Sequence, residues 1–193
     1  MNPNRSSRSN EFEGAIEKFL RDIRYEQIRA LADDVIELYL TNLLKTLEAH
    51  AVAIWLKTVG PEGDRLTIAY NVGQRGTEVE GKINQALDQG LVSKAFREGM
   101  AICHQGIFKH REQSLAVDRQ LGQITAHQIA VPFRFFDRTI GAMTVIQTLD
   151  AGIADHLQWG FDKDEIKLFE GEVVVVQRLF ELNFLKSWIG GST

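Results

Sequence analysis

The chain has 193 residues and a net charge of -4, with 44% hydrophobic and 25% charged residues. That fits one domain with helical extensions, able to fill a core and not intrinsically disordered, and it excludes the basic footprint of non-specific nucleic-acid binding. The longest apolar runs fall well short of the roughly 18 residues of a membrane span, the opening MNPNRSSRSN is no secretory signal, and the lone Cys103 excludes an intramolecular disulfide, so a cytoplasmic globular protein is expected.

Residues 1–10 are polar and read as a flexible arm, with Asn10 and Glu13 spaced like a capping box. Apolar side chains then recur at Phe12, Ile16, Phe19, Leu20 and Ile23, and again at Ile28, Leu31, Val35, Leu38, Leu43, Leu44 and Leu47. Steps of three and four predict amphipathic helices over 11–48, with a break or bend near Arg24–Gln27 where the phase slips. Ala51–Thr58 reads as a buried strand, Gly60–Asp64 as a turn and Arg65–Val72 as the returning strand. Gly90–Gly99 looks like a short helix closed by glycine, and Met100–Gln105 like a short strand. Gln113–Leu121 is a candidate helix. His127–Phe136 and Thr139–Leu149 make the clearest hairpin, turning at Asp137-Arg138. A last helix is predicted from Asp162 to Lys186. It is apolar over more than half its circumference, so it needs its own sheet and a second partner. Its Val173–Val176 run would by itself favour a strand. Residues 190–193 read as a frayed tail, and 49–189 as the domain proper. The order predicts an α+β fold, an antiparallel sheet with helices on its faces.

From about Leu31 to Leu185 the sequence resembles a GAF domain. Ala49–Lys57 is similar to the family's first strand, and Leu87–Ala95 to its segment of a glycine, an apolar pair and a short helix. Gln128–Phe133 carries an embedded Val-Pro, and Thr139–Val145 resembles the "Ile-Gly-Val-Leu" strand after a tight turn. Phe161–Ile166 is similar to the start of the family's last helix. The resemblance implies a profilin-like sheet of about six antiparallel strands. Terminal helices would cover one face; ligand-pocket loops and short helices would cover the other. Pro132 is expected at an edge or bulge, because proline removes a ladder donor. Gly141 is expected where a neighbouring backbone comes close.

Cys103 and His104 are adjacent on a strand, so they are expected to point to opposite faces. Cys103 is read as a small buried apolar residue. His104, His110, His127 and His156 are the histidines weighed for a metal or haem, and no helical i, i+4 pair of them exists. No metal ligand is assigned. The cyclic-nucleotide branch of the resemblance pairs an Asn-Lys with a later acid; here those positions read Gln147-Thr148 and Glu165, so that role is not expected. Hydrolase, P-loop, zincin and dinucleotide motifs are absent. A reductase chemistry with resolving cysteines cannot close its disulfide here, and the expectation is that the protein is not an enzyme. By resemblance, the ligand pocket takes Leu91, Val92, Phe108, Asp118, Thr125 and Thr144.

The expected function is a sensory or regulatory domain in signal transduction. It would bind an unidentified small molecule and pass its state through the terminal helices to a separate partner or a fused output domain. Those helices are expected to leave apolar surface for a homodimer. The alternative is a dimerisation or docking scaffold with a closed pocket, which a cavity below roughly 300 Å³ would favour. A redox or metal sensor using Cys103, His104 or His110 is the remaining reading.

Overall fold

The computed structural model describes residues 3–60, 63–106, 115–149 and 160–190. Three helices come first: α1 (Pro3–Arg21), α2 (Tyr25–Leu31) and α3 (Asp34–Thr46). Helix α1 runs over Pro3–Arg21, so residues 3–10 of the expected arm are helical, and Asn10 lies inside α1 rather than capping it. A proline suits the first helical position, because its φ is preset and that N–H needs no partner. The predicted break occurs just ahead of α2, where the Arg24 N–H donates to Gln27 Oε1 at 2.7 Å. A second break, not predicted, precedes α3. There Asp33 caps the helix, its Oδ1 accepting from the Ile36 N–H at 3.0 Å.

The middle of the chain supplies β1 (Ala51–Gly60), β2 (Gly63–Gly73), a 3-10 turn (Gly76–Val79) and β3 (Asn84–Ala86). After these come α4 (Gly90–Glu98), β4 (Ile102–Gln105), α5 (Leu115–Leu121), β5 (Ile124–Phe135), β6 (Arg138–Leu149) and α6 (Lys163–Gly190). The strands form one sheet of six in the order β3-β2-β1-β6-β5-β4. The pairs are antiparallel. The α+β architecture expected from the sequence is therefore present. Of the turn expected at Gly60–Asp64, residues 61–62 lie outside the described residues.

Alternation along the strands divides the side chains between two layers. Val52, Ile54 and Leu56 of β1, Ile129, Val131 and Phe133 of β5, and Met143 and Val145 of β6 join the larger core. That core packs under α3 and α6 through Ile36, Leu40, Phe169, Val173, Val176 and Phe180. The opposite face carries a smaller core of Ala53, Trp55, Ile68, Val92 and Ala142. Helix α6 begins with a capping box: Asp162 Oδ1 accepts from the Glu165 N–H, and Glu165 Oε2 accepts from the Asp162 N–H, both at 2.8 Å. Glu165 thus has a local role at the helix start.

Two residues behave as the sheet requires. Gly141 sits opposite Leu56, and a Cβ there would lie 1.7 Å from the Trp55 carbonyl oxygen. Pro132 lies past the last β4 pairing at Ala130, and its carbonyl accepts from Gln177 Nε2 of α6 at 3.2 Å. It therefore occupies a stretch of β5 whose outer side has lost its strand, next to a register shift at Phe133/Arg134.

Candidate ligand-binding site

The second sheet face is hollow because its residues are small. On β1 the side chains facing away from the larger core are Ala51, Ala53 and Trp55; on β6 they are Ala142, Thr144 and Ile146. Two alanines and a threonine in the middle of a sheet leave space that larger side chains would fill. A cavity of about 70 Å³ occupies that space. Its floor is Ala51, Ala53, Trp55 and Thr144, and α4 covers it with Leu91 and Val92. Helix α5 adds Asp118 and Leu121, and Thr125 and Gln128 come from β5. Asn71, Gln74 and Arg75 reach it from the end of β2 and the following loop.

The polar wall is tied together. Trp55 Nε1 donates to Thr144 Oγ1 at 3.1 Å. Asp118 takes two bonds from one residue, the Thr125 N–H at 3.0 Å and the Thr125 hydroxyl at 2.7 Å. Both residues are buried, so the pair fixes α5 to the start of β5. Gln85 Nε2 donates to Ser93 Oγ at 2.9 Å, which anchors α4 to β3. Asn71 Nδ2 donates to the carbonyls of Gln74 at 3.1 Å and Gly76 at 2.9 Å, pinning the loop that carries Arg75. The Arg75 guanidinium donates to the Leu121 carbonyl at 2.5 Å and so spans from that loop to the end of α5.

Five of the residues expected by resemblance, Leu91, Val92, Asp118, Thr125 and Thr144, line this one cavity. Phe108, the sixth, lies outside the described residues, as do His110 and His156. Trp55, Asn71, Gln74, Arg75, Gln85 and Gln128 also line it and were not singled out from the sequence. The signal for the floor was legible: Ala51, Ala53 and Trp55 alternate through the first strand, small, small, large. Nothing local marked Arg75 or Gln128.

Cys103 packs against the larger core on the far face, and burial pushes its thiol up from the ordinary value. His127 is also on that side, 4% exposed. Its Nδ1 accepts from the Gly106 N–H at 3.4 Å, its Nε2 has no hydrogen-bond partner among the described residues, and burial pushes its pKa down. Among the described residues no cluster of three or more His, Cys, Asp or Glu side chains could hold a metal ion. A wider cleft of about 700 Å³ opens between the α1–α2 connection and the ends of β1 and β6. None of the residues expected for a ligand lines it. Among the described residues no helix is long and apolar enough to cross a membrane.

No protein-family model matches the sequence, and no curated protein matches it. Solved structures do match in shape. The GAF domain of a phosphoenolpyruvate-protein phosphotransferase from Coxiella burnetii has a TM-score of 0.59 at 16% identity, covering 91% of this chain and 96% of that one. The GAF-B domain of DevS from Mycobacterium smegmatis has 0.57 at 15% identity, covering 80% of this chain and 96% of that one. A free methionine-R-sulfoxide reductase from Neisseria meningitidis, solved in complex with its substrate, has 0.57 at 16% identity, covering 89% and 87%. This last likeness overturns the expectation that the protein is not an enzyme. An enzyme is as similar to this chain as a DevS domain is, so the shape does not separate the two roles. Element order, sheet topology and these three likenesses together give the chain the GAF-domain fold.

Proposed function

We propose that this chain is a cytoplasmic sensory and regulatory domain. It holds a small molecule in the cavity beneath α4 and α5 and passes occupancy to the helices on the other sheet face. The observation that carries the reading is the wall itself: an apolar floor met by amide, hydroxyl and guanidinium groups from four separate parts of the chain. Convergence of a few polar groups on an apolar hollow is what a ligand site needs. Leu91, Val92, Asp118, Thr125 and Thr144 are the proposed contacts, with Phe108 as a further one. A chain of contacts leads from the wall to the N-terminal helices. Glu80 Oε1 accepts from the Asn71 N–H at 3.0 Å, and Arg29 of α2 lies 3.5 Å from the same oxygen. Arg29 also sits over the Tyr70 ring, 5.0 Å from its centroid. A ligand that moves the Gln74–Gly76 loop would bias α2 through these groups.

The proposal includes a homodimer whose state a partner or output domain reads. Leu168, Val175, Leu182 and Ile189 of α6 recur every seven residues and are 38%, 42%, 46% and 62% exposed. Helix α3, tied to α6 by the Tyr39 hydroxyl donating to Glu172, adds exposed Val35 and Leu38. A seven-residue apolar repeat on a solvent-facing stripe suits pairing with the same helix of a second copy.

One observation favours the second reading, a scaffold with a closed pocket. The cavity of about 70 Å³ is smaller than the range of roughly 300–1,000 Å³ usual for drug-sized ligands. A melting-temperature screen with metabolites, run on the wild type and on Ala53→Leu, separates the two. A ligand at 100 times its dissociation constant adds about 2.7 kcal/mol. The sensor reading expects a shift in the wild type that is lost in Ala53→Leu, whose larger side chain fills the floor. No shift with any metabolite, together with an Ala53→Leu protein less stable than the wild type because a closed pocket has no room for the larger side chain, favours the scaffold.

A further inference from the structure

We infer that the ligand of this cavity is a small monocarboxylate, and that Arg75 is the residue that grips it. The inference rests on the ligand-binding reading above and narrows it to one chemical class.

Charge argues first. Among the described residues, Arg75 and Asp118 are the charged side chains lining the cavity. Both Asp118 oxygens already accept from Thr125, at 3.0 and 2.7 Å. Asp118 is therefore committed to holding the wall, and a second anion beside it would be repelled unless a cation intervened. Arg75 is that cation. A guanidinium carries five N–H donors in a planar fork that fits a carboxylate with two parallel bonds. The bond to the Leu121 carbonyl at 2.5 Å occupies one terminal nitrogen, and the exposed Arg75 side chain lines the cavity with its other donors outside that bond.

The backbone argues second. Arg75 has φ 69° and ψ -12°, the left-handed region, which is unfavourable for a residue that carries a Cβ. Glycine would sit there without that penalty. The conformation is held from both sides, because Asn71 grips the carbonyls of the preceding Gln74 and the following Gly76. A strained position that keeps a long cationic side chain beside a cavity supports a role for that side chain there. The neutral amides of Gln74, Gln123 and Gln128 line the same cavity and would serve the uncharged end of the ligand.

Size argues third. A cavity of about 70 Å³ is far below the roughly 300–1,000 Å³ usual for drug-sized ligands. Two- and three-carbon acids suit it better than a nucleotide or a tetrapyrrole.

The test uses the full chain and named probes: acetate and pyruvate as anions, acetamide and acetone as neutral counterparts of similar shape, at constant ionic strength against chloride. Titration calorimetry and melting temperature are read on the wild type, Arg75→Gln and Arg75→Gly. Acetate or pyruvate is expected to bind the wild type and raise its melting temperature, with the neutral counterparts at least tenfold weaker. Arg75→Gln is expected to weaken the anion at least tenfold. Arg75→Gly, which removes the strain, is expected to lose the anion while melting no lower than Arg75→Gln, so a folding defect cannot mimic the result. Equal binding of acetamide and acetate, unchanged anion binding by Arg75→Gln, or no binding of either anion overturns the inference. If a neutral metabolite from the wider screen binds instead, the anion assignment falls and the sensor reading stands; if nothing binds, both fall.

Discussion

Gly141 and His127 each carry one measurable consequence of a single atom. The Trp55 carbonyl oxygen would lie 1.7 Å from a Cβ at Gly141, and it belongs to a central strand that cannot retreat without breaking its pairing with β6. Gly141→Ala is expected to cost about 3 kcal/mol or more, in line with overpacked cores, read as a lower urea midpoint. His127 is buried, and its pKa is held below the ordinary 6.5 by desolvation. The unfolded chain therefore binds its proton more readily, so this contribution to stability is complete above about pH 6.5 and is lost as pH falls through the lower folded value. Urea midpoints at pH 8 and pH 5 are expected to differ more in the wild type than in His127→Gln, and equal differences would remove His127 as the cause. Both residues were noticed in the sequence, Gly141 for close approach and His127 as a ligand candidate. Only Gly141 could be assigned its reason in advance, because the tight-turn strand motif around it fixes its neighbours. The irregularity in β5 falls between Thr125 and His127 and puts the two on opposite faces, which composition does not encode.

Helix α6 is the element whose local and tertiary preferences disagree. Val173–Val176 favours a strand by propensity, yet Val173 and Val176 are fully buried in the larger core, three residues apart on one helical face. Packing against Phe169 and Phe180 outweighs a preference worth a few tenths of a kcal/mol per residue. Val175, between them in sequence, is 42% exposed and belongs to the outward seven-residue stripe. Val175→Glu with Leu182→Glu is expected to weaken self-association at least tenfold, measured by sedimentation, while the helix content stays unchanged. Retained association in that double variant would remove α6 from the interface. Long periodic elements such as α6 and the β5–β6 hairpin were legible because many residues repeat one signal. The Asp33 break, the 3-10 turn and the three-residue β3 were missed because so few residues carry each. Asp33 was nonetheless a helix-capping residue in plain view.

For the whole molecule, the consequence is thermodynamic. If ligand occupancy biases the terminal helices, dimerisation must change ligand affinity by the same factor that ligand changes dimer affinity. Dimer dissociation constants with and without saturating ligand, and ligand affinities above and below the dimer midpoint, are expected to give one coupling factor. Glu80→Gln, which weakens the tie between the Asn71 wall and Arg29, is expected to shrink that factor by several-fold while leaving each binding event nearly intact; an unchanged factor would take the coupling off this route. The amino-acid order by itself determined the α+β class and most of the strands and helices, which follow from periodicity and turn residues, both local properties; the covering of the two sheet faces and the candidate pocket residues came only from the resemblance to the GAF family. Only the tertiary structure decided that Ala51, Ala53 and Thr144 leave one shared hollow, and that Arg75 of the loop after β2 bonds to Leu121 at the end of α5. A cavity is the space between segments distant in sequence, and no segment alone contains it.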